Sequence, residues 1–331
     1  MEDDPMKKYL ALALVAMMLC TFAACGLLPA APTGAAADIP VTEPAAPETQ
    51  APEAQDQETE APTEEATEEP TEAPITSLGM EGTVLVDNEN CAFSISAASS
   101  NAYLGNTLEA TCVNKTDKTL FFTWNTVSVC DYLYDPLWSQ EVAPGETVDS
   151  TVYIDTYQLE QYGIASVDEI EFTLYVFDRD DFLAEPFVND VFTVYPTGLT
   201  AETVSQPQRA AVDGEQVMAQ GGDVDFIIES YFETSGNYTL RCYLSNNSAD
   251  MLVFSWEDVL VNGTHIDPMW AHEIPAGKRA YSEVTFFSVD LENAAIEAVE
   301  EIAFTLLVTD LEGNPILEEI CTFRAEDSLV G

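Results

Sequence analysis

The sequence predicts an all-β protein: two tandem β-sandwich domains behind a disordered acidic linker. Three observations carry that expectation. First, residues 246–310 repeat residues 114–178 without a gap, at the constant offset that separates Trp124 from Trp256. Shared landmarks are Asp135-Pro136-Leu137-Trp138 and Asp267-Pro268-Met269-Trp270, Glu141 and Glu273, Gly145 and Gly277, and the runs 170–174 and 302–306. Roughly a third of the positions match, and a fixed period defines the building unit before any other feature does. Second, apolar residues alternate over short runs bounded by turn formers, which is the period of half-buried strands. Third, residues 26–78 are rich in Ala, Pro, Thr and Glu, with too little large apolar surface to offset the entropy of ordering.

Residues 1–25 read as a secretory signal peptide. Met6-Lys7-Lys8 is a short basic region. The apolar run 9–24 after it is shorter than the about 20 residues a membrane-spanning helix needs. The acids before the Lys pair make Met6 an alternative start. Phe22-Ala23-Ala24-Cys25-Gly26 resembles a bacterial lipoprotein lipobox, although Phe22 stands where that family usually has Leu. The resemblance implies cleavage before Cys25 and a diacylglycerol on its sulfur, hence a membrane partner through a lipid anchor. Cys20 is a rival acceptor, but Met18-Leu19 before it lack small side chains. An ordinary signal peptide with an incidental Cys25 is the remaining alternative.

The predicted linker, 26–78, contains no Lys or Arg. Proline bias and like-charge repulsion extend such a segment. At about 3.1 Å per residue in polyproline II it reaches on the order of 150 Å. That reach suits an anchor lifting its cargo through a thick cell wall.

The first domain is expected over 79–196, a short polar joint over 197–210, and the second domain over 211–327. Strands are expected at 91–95 and 224–228, then at 108–112 and 240–244, where apolar residues alternate. Runs 120–124 and 252–256 are apolar on both faces and suit central strands. Asn262-Gly263 signals a hairpin turn, and Ala143-Pro144-Gly145 and Pro275-Ala276-Gly277 signal another. Strands follow at 151–154 and 283–287. Residues 290–301 alone have a helical apolar spacing, but Gly163 interrupts the matching stretch. That limits the crossover to about one turn of helix near Leu159 and Leu291. Strands at 170–176 and 302–308, then 191–195 and 320–323, complete each copy. Seven or eight short strands in about 115 residues is the rhythm of an immunoglobulin-like sandwich.

On Trp256, Asp267-Pro268-Met269-Trp270, Gly277 and the run 302–310, with their first-copy partners, the chain resembles immunoglobulin-like domains of Gram-positive secreted antigens and lipoproteins. Those families are largely of unknown function, so the resemblance implies fold and envelope location but no activity.

Charge bounds the partners. Ten Lys and Arg against 59 Asp and Glu give a net charge of −49. Nucleic acid and anionic membrane surfaces repel such a chain. Cations such as Ca²⁺ or Mg²⁺, or basic proteins, remain as ionic partners.

Candidate sites are few. Once Cys25 is lipidated, Cys91, Cys112, Cys130, Cys242 and Cys321 remain. Cys242 aligns with Ala110 and Cys112 with Leu244, so both read as interchangeable core positions. A Cys242–Cys321 bridge stays open as the alternative for an exported chain. Trp124 and Trp256 read as core. Trp138 and Trp270, with Tyr132 and Tyr134 in the first copy, are the candidate binding surface. An exposed row of these rings would stack on a glycan, whereas Trp138 and Trp270 as core plugs is the favoured alternative. Asp178, Asp180 and Asp181 form an acidic loop that is a weak Ca²⁺ candidate against the blander reading of a solvated turn. No other metal site or cofactor is expected. His265 and His272 align with Leu133 and Gln140, and no hydrolase, zinc or phosphate-loop motif occurs. The expectation is therefore a non-catalytic protein on the extracytoplasmic face of a Gram-positive membrane. It binds an envelope or host protein or glycan, or serves as a structural spacer with no ligand of its own.

Overall fold

The computed structural model describes residues 75–101 and 105–328. The predicted signal peptide, Cys25 and nearly all of the predicted linker lie outside the described residues. The described chain belongs to one compact unit and is almost entirely β.

The first half contains β1 (Thr76–Ser77), β2 (Thr83–Asp87), β3 (Cys91–Asn101), β4 (Gly105–Asn114), β5 (Leu120–Val129), β6 (Tyr132–Leu133), β7 (Ser139–Val142) and β8 (Thr147–Ile154). The six-residue helix α1 (Thr156–Gln161), then β9 (Ile170–Asp178) and β10 (Val188–Val194), complete it. The second half begins with β11 (Gln216–Ala219), β12 (Val224–Thr234), β13 (Asn237–Asn246), β14 (Leu252–Val261), β15 (Thr264–His265), β16 (Ala271–Ile274) and β17 (Arg279–Phe286). It ends with α2 (Ser288–Asn293), β18 (Glu301–Asp310) and β19 (Pro315–Arg324). No helix among the described residues is long and apolar enough to cross a membrane.

Each half is a β-sandwich. In the first, β3-β4-β8 form one sheet, with β1 and β2 both on β3, and β10-β9-β5 form the other, with β7 also on β5. In the second half β11-β12-β13-β17 face β19-β18-β14, with β15 and β16 on β14. Alternation along the strands supplies the two inner faces: β9 reads buried and half-buried in strict turn from Ile170 to Asp178. Phe93 on one sheet meets Phe122, Trp124 and Phe172 on the other at 6.4–6.5 Å between ring centres. Phe226 meets Trp256 and Phe304 in the same way. Trp124 stacks on Phe172, and Trp256 on Phe304, each at 3.8 Å. Large side chains buried like this contribute about 1.5–3 kcal/mol each through lost water contact.

The first residue of the repeat has a structural role that its sequence did not announce. Asn114 and Asn246 are buried in equivalent places. The Asn114 amide donates to the carbonyls of Lys118 and Val142 at 2.7 and 2.9 Å, and its oxygen accepts from the Thr116 N–H. The Asn246 amide does the same with Asp250, Ile274 and Ser248. One side chain thus fastens two loops in each half through their backbone carbonyls and amides.

Two expectations need adjustment and a third holds. The first strand, β1, lies inside the stretch read as linker. It pairs antiparallel with the end of β3, Thr76 against Ser100, and its two exposed polar residues carry no alternation. The crossover helices run six residues rather than a single turn. Asn262-Gly263 does form the hairpin turn, with φ of 48° and 79°.

Candidate functional site

The four aromatic residues proposed as a binding row do not form one. Trp138 is 7 % exposed and lies in the first core, 5.8 Å from Phe93 and 5.5 Å from Trp124. Its Nε1 donates to Ser150 Oγ on β8, across the open side of the sandwich. Trp270 is half-buried and repeats the arrangement with Phe226, Trp256 and Ser282 Oγ. Tyr134 is buried, and its hydroxyl accepts from the Asp155 N–H at 2.7 Å ahead of α1. Tyr132 is fully buried between the halves. The correction has a local cause in the Asp-Pro-x-Trp turn. Asp135 Oδ1 accepts from the Leu137 N–H, and Asp267 Oδ1 from the Met269 N–H, at 2.9 and 2.7 Å. The turn holds Leu137 and Met269 at φ of 50° and rolls each Trp inward.

What the repeat exposes instead is the residue between Pro and Trp. Leu137 is 86 % exposed and Met269 85 %. Both are large and apolar, and both occupy a left-handed backbone conformation that costs an ordinary residue about 1–2 kcal/mol. The signal was present in the sequence, as an apolar residue kept in both copies of a polar turn.

The joint is a second concentration of unusual chemistry. β6 pairs in parallel with β17 through Tyr132 and Arg279, so one nine-stranded sheet runs from the first half into the second. Four of the chain's ten basic residues gather here: Arg209, Arg241, Lys278 and Arg279. Lys278 Nζ lies 3.0 Å from both Asp131 and Glu171 of the first half. Burial pulls its pKa down, but the bonds to those carboxylates outweigh burial and hold it above the ordinary lysine range. Arg279 donates to the Pro207 carbonyl at 2.7 Å and lies over the Tyr132 ring. Arg209 pairs with Glu229 at 2.8 Å and with Glu215. Tyr132, Tyr162 and Tyr281 stack on one another, 4.9–5.8 Å apart. The segment read as a short polar joint is therefore fastened to both halves: Gln206 also donates to Glu169 of the first half at 3.0 Å.

The remaining candidates resolve into structural roles. Asp178 is 7 % exposed, accepts from Lys118 Nζ at 2.7 Å and from the Asp180 N–H at 3.0 Å. The Lys118 bond, then the backbone donors, hold its carboxyl below the usual range. Asp180 and Asp181 are exposed on the same turn. Asp310 likewise closes its own turn on Glu312 and Asn314. Among the described residues no three His, Cys, Asp or Glu side chains are grouped to hold a metal. The five cysteines among the described residues are free and buried, Cys242 on β13 and Cys321 on the opposite sheet, so the alternative bridge is not formed. Burial pushes the Cys112 thiol up to about 12 and the Cys91 thiol to about 11. His272 is pulled below its usual value by burial, and its Nδ1 lies 3.4 Å from Ser282 Oγ; His265 is exposed. Among the described residues, one cavity of about 520 Å³ lies at the far end of the second half and another of about 400 Å³ beside the joint. Neither a scan against models of protein families nor a search among curated proteins finds a match to this chain.

Proposed function

We propose that this is a non-catalytic, lipid-anchored bacterial surface protein whose two immunoglobulin-like modules bind a protein partner. The anchoring part rests on the lipobox-like sequence ending at Cys25 and the acidic, proline-rich stretch after it. The immunoglobulin-like reading is supported by strand order. Setting aside the short β1, β2 and β6, the main strands of the first half run 1-2-5 on one sheet and 7-6-3-4 on the other. That Greek-key order is the pattern of such sandwiches, and it recurs in the second half.

The observation that carries the binding reading is the pair Leu137 and Met269. Two copies that differ at most positions both retain a large apolar side chain, almost fully exposed, on strained backbone. Strain of this kind persists where it has a use, and apolar tips favour a protein surface over a sugar. The test is binding of the full-length chain to arrayed envelope and host proteins and glycans. The double variant Leu137→Ser/Met269→Ser is expected to lose a protein ligand while its melting temperature holds. Undiminished binding, or glycan binding alone, would refute the assignment. A spacer role is the second reading, favoured by the continuous sheet through the joint. It predicts that no arrayed ligand is bound.

A further inference from the structure

The halves meet head to tail. The end of the first half that carries Asp131, Tyr132, Tyr162 and Glu171 receives the end of the second that carries Arg241, Lys278, Arg279 and Tyr281. At the repeat offset, the same receiving end exists again at the far tip of the second half. There Gly263, Thr264, Ala294 and Ala303 stand where Asp131, Tyr132, Tyr162 and Glu171 stood. Small residues replace large ones there. On the same tip, lined by other residues, a cavity of about 520 Å³ lies between α2, the Gly236 turn and residues 295–299.

This cavity has an apolar floor and an acidic rim. Leu291 and Val299 are buried beneath it, while Glu233, Glu292 and Glu297 are exposed around it, and no Lys or Arg lines it. Tyr238 also lines it, 2 % exposed, with a buried hydroxyl that has no hydrogen-bond partner. An unpaired hydroxyl at that depth costs about 1–3 kcal/mol until a partner arrives. At the joint the first half takes cationic side chains on Asp131 and Glu171; at the tip the carboxylates come from other positions, Glu233, Glu292 and Glu297.

We propose that this tip is a docking site for a partner protein that presents a Lys or Arg side chain, its stem against Leu291 and Val299 and its charge among Glu233, Glu292 and Glu297. Long basic side chains divide their contacts in this way, apolar stem inside and charged head at the rim. A second copy continuing the head-to-tail arrangement is opposed by charge. A second copy would have to offer the free end of its first half, where the positions of Arg241, Lys278 and Arg279 hold Glu109, Glu146 and Thr147. Acid would then face acid, which opposes association. The chain before the first half holds no basic residue after Lys8. The proposal rests on the reading of the protein as a binding module, but it concerns the tip and not the flank that carries Leu137 and Met269.

The experiment uses the full chain, isotopically labelled, and the blocked peptide Ala-Gly-Lys-Arg-Ala-Tyr, which copies residues 276–281. Amide shifts are expected to concentrate at Gly236, Ala295 and Ala298. Affinity should fall about tenfold in Glu292→Lys/Glu297→Lys. It should hold in the control Glu109→Lys/Asp149→Lys at the opposite end, and in Leu137→Ser/Met269→Ser. Shifts spread over the whole acidic surface, equal losses in tip and control variants, or self-association through the tip would each overturn the proposal. If the peptide binds as expected but the flank variant binds every arrayed protein normally, the flank reading fails and the tip stands.

Discussion

Replacing Lys278 with Met should uncouple the two halves. The side chain is 10 % exposed and makes 3.0 Å contacts with Asp131, 22 % exposed, and Glu171, 34 % exposed. A hydrogen bond to a charged group is worth about 1.5–3 kcal/mol. Two of them, discounted because both carboxylates keep some water, give about 2–3 kcal/mol. Met retains the packing of the stem, so the loss reports the charge. The reference variant is Lys115→Met, whose pair with Asp87 is exposed and should be worth under about 1 kcal/mol. Denaturant unfolding, followed by circular dichroism and by tryptophan fluorescence, measures both. Each half carries two of the four tryptophans. Because Lys278 joins two cores and sits in neither, the variant should split one transition into two. A loss no larger than that of Lys115→Met, with a single transition kept, would refute the view that the joint couples the halves.

Other expectations follow from the same geometry. The folded-state pKa of Lys278 is raised, so its contribution is complete below the ordinary lysine pKa and is lost as pH climbs through the raised value. Alkaline titration of stability should show that slope in the native chain and not in Lys278→Met. For Asp178 the sign reverses. Its lowered pKa means its contribution is present above the ordinary aspartate value and lost as pH falls through the lowered one, and acid titration of Lys118→Met should lack that step. Trp138→Ala or Trp270→Ala should cost about 3–5 kcal/mol in denaturation, as core truncations do; a change under about 1 kcal/mol would mean the rings are not plugs. Leu137→Gly should stabilise the fold by about 0.5–1 kcal/mol, since glycine takes positive φ freely and the side chain is exposed. Native alkylation near neutral pH should leave Cys91, Cys112, Cys130, Cys242 and Cys321 unmodified until the chain is unfolded, because all are buried.

The repeat and its main strands were legible because they depend on local alternation and on residues such as Phe172 and Phe304 that serve the same core twice. The short strands β1, β2 and β11 were not. They ride on an edge, with β1 and β2 largely exposed and β11 only four residues long, so no face imposes an apolar period. Tyr132 was misplaced for a different reason. Its environment is made by residues more than a hundred positions away, Arg279 and Tyr281, and no periodicity reports such a contact. The clue lay in the mismatches between the copies. Asp131, Tyr132 and Glu171 are acidic or aromatic only in the first copy, and Lys278, Arg279 and Tyr281 are basic or aromatic only in the second. Positions that diverge in complementary fashion mark where two copies touch. The Asp-Pro-x-Trp motif was recognised as a shared landmark, but the side chain its turn shows to solvent was not. Only the φ of Leu137 and Met269 decides which of the neighbours points outward.

The paired buried amides of Asn114 and Asn246 bear on how the molecule ages. Deamidation of asparagine exchanges an NH₂ donor for a carboxylate oxygen. At Asn114 that oxygen would face the carbonyls of Lys118 and Val142, and at Asn246 those of Asp250 and Ile274. Spontaneous hydrolysis at either amide is thus a lesion of one half, with two donors lost and a charge buried. Each half keeps a core of its own. Aged protein should therefore contain a species about one dalton heavier in which one half digests readily and the other resists.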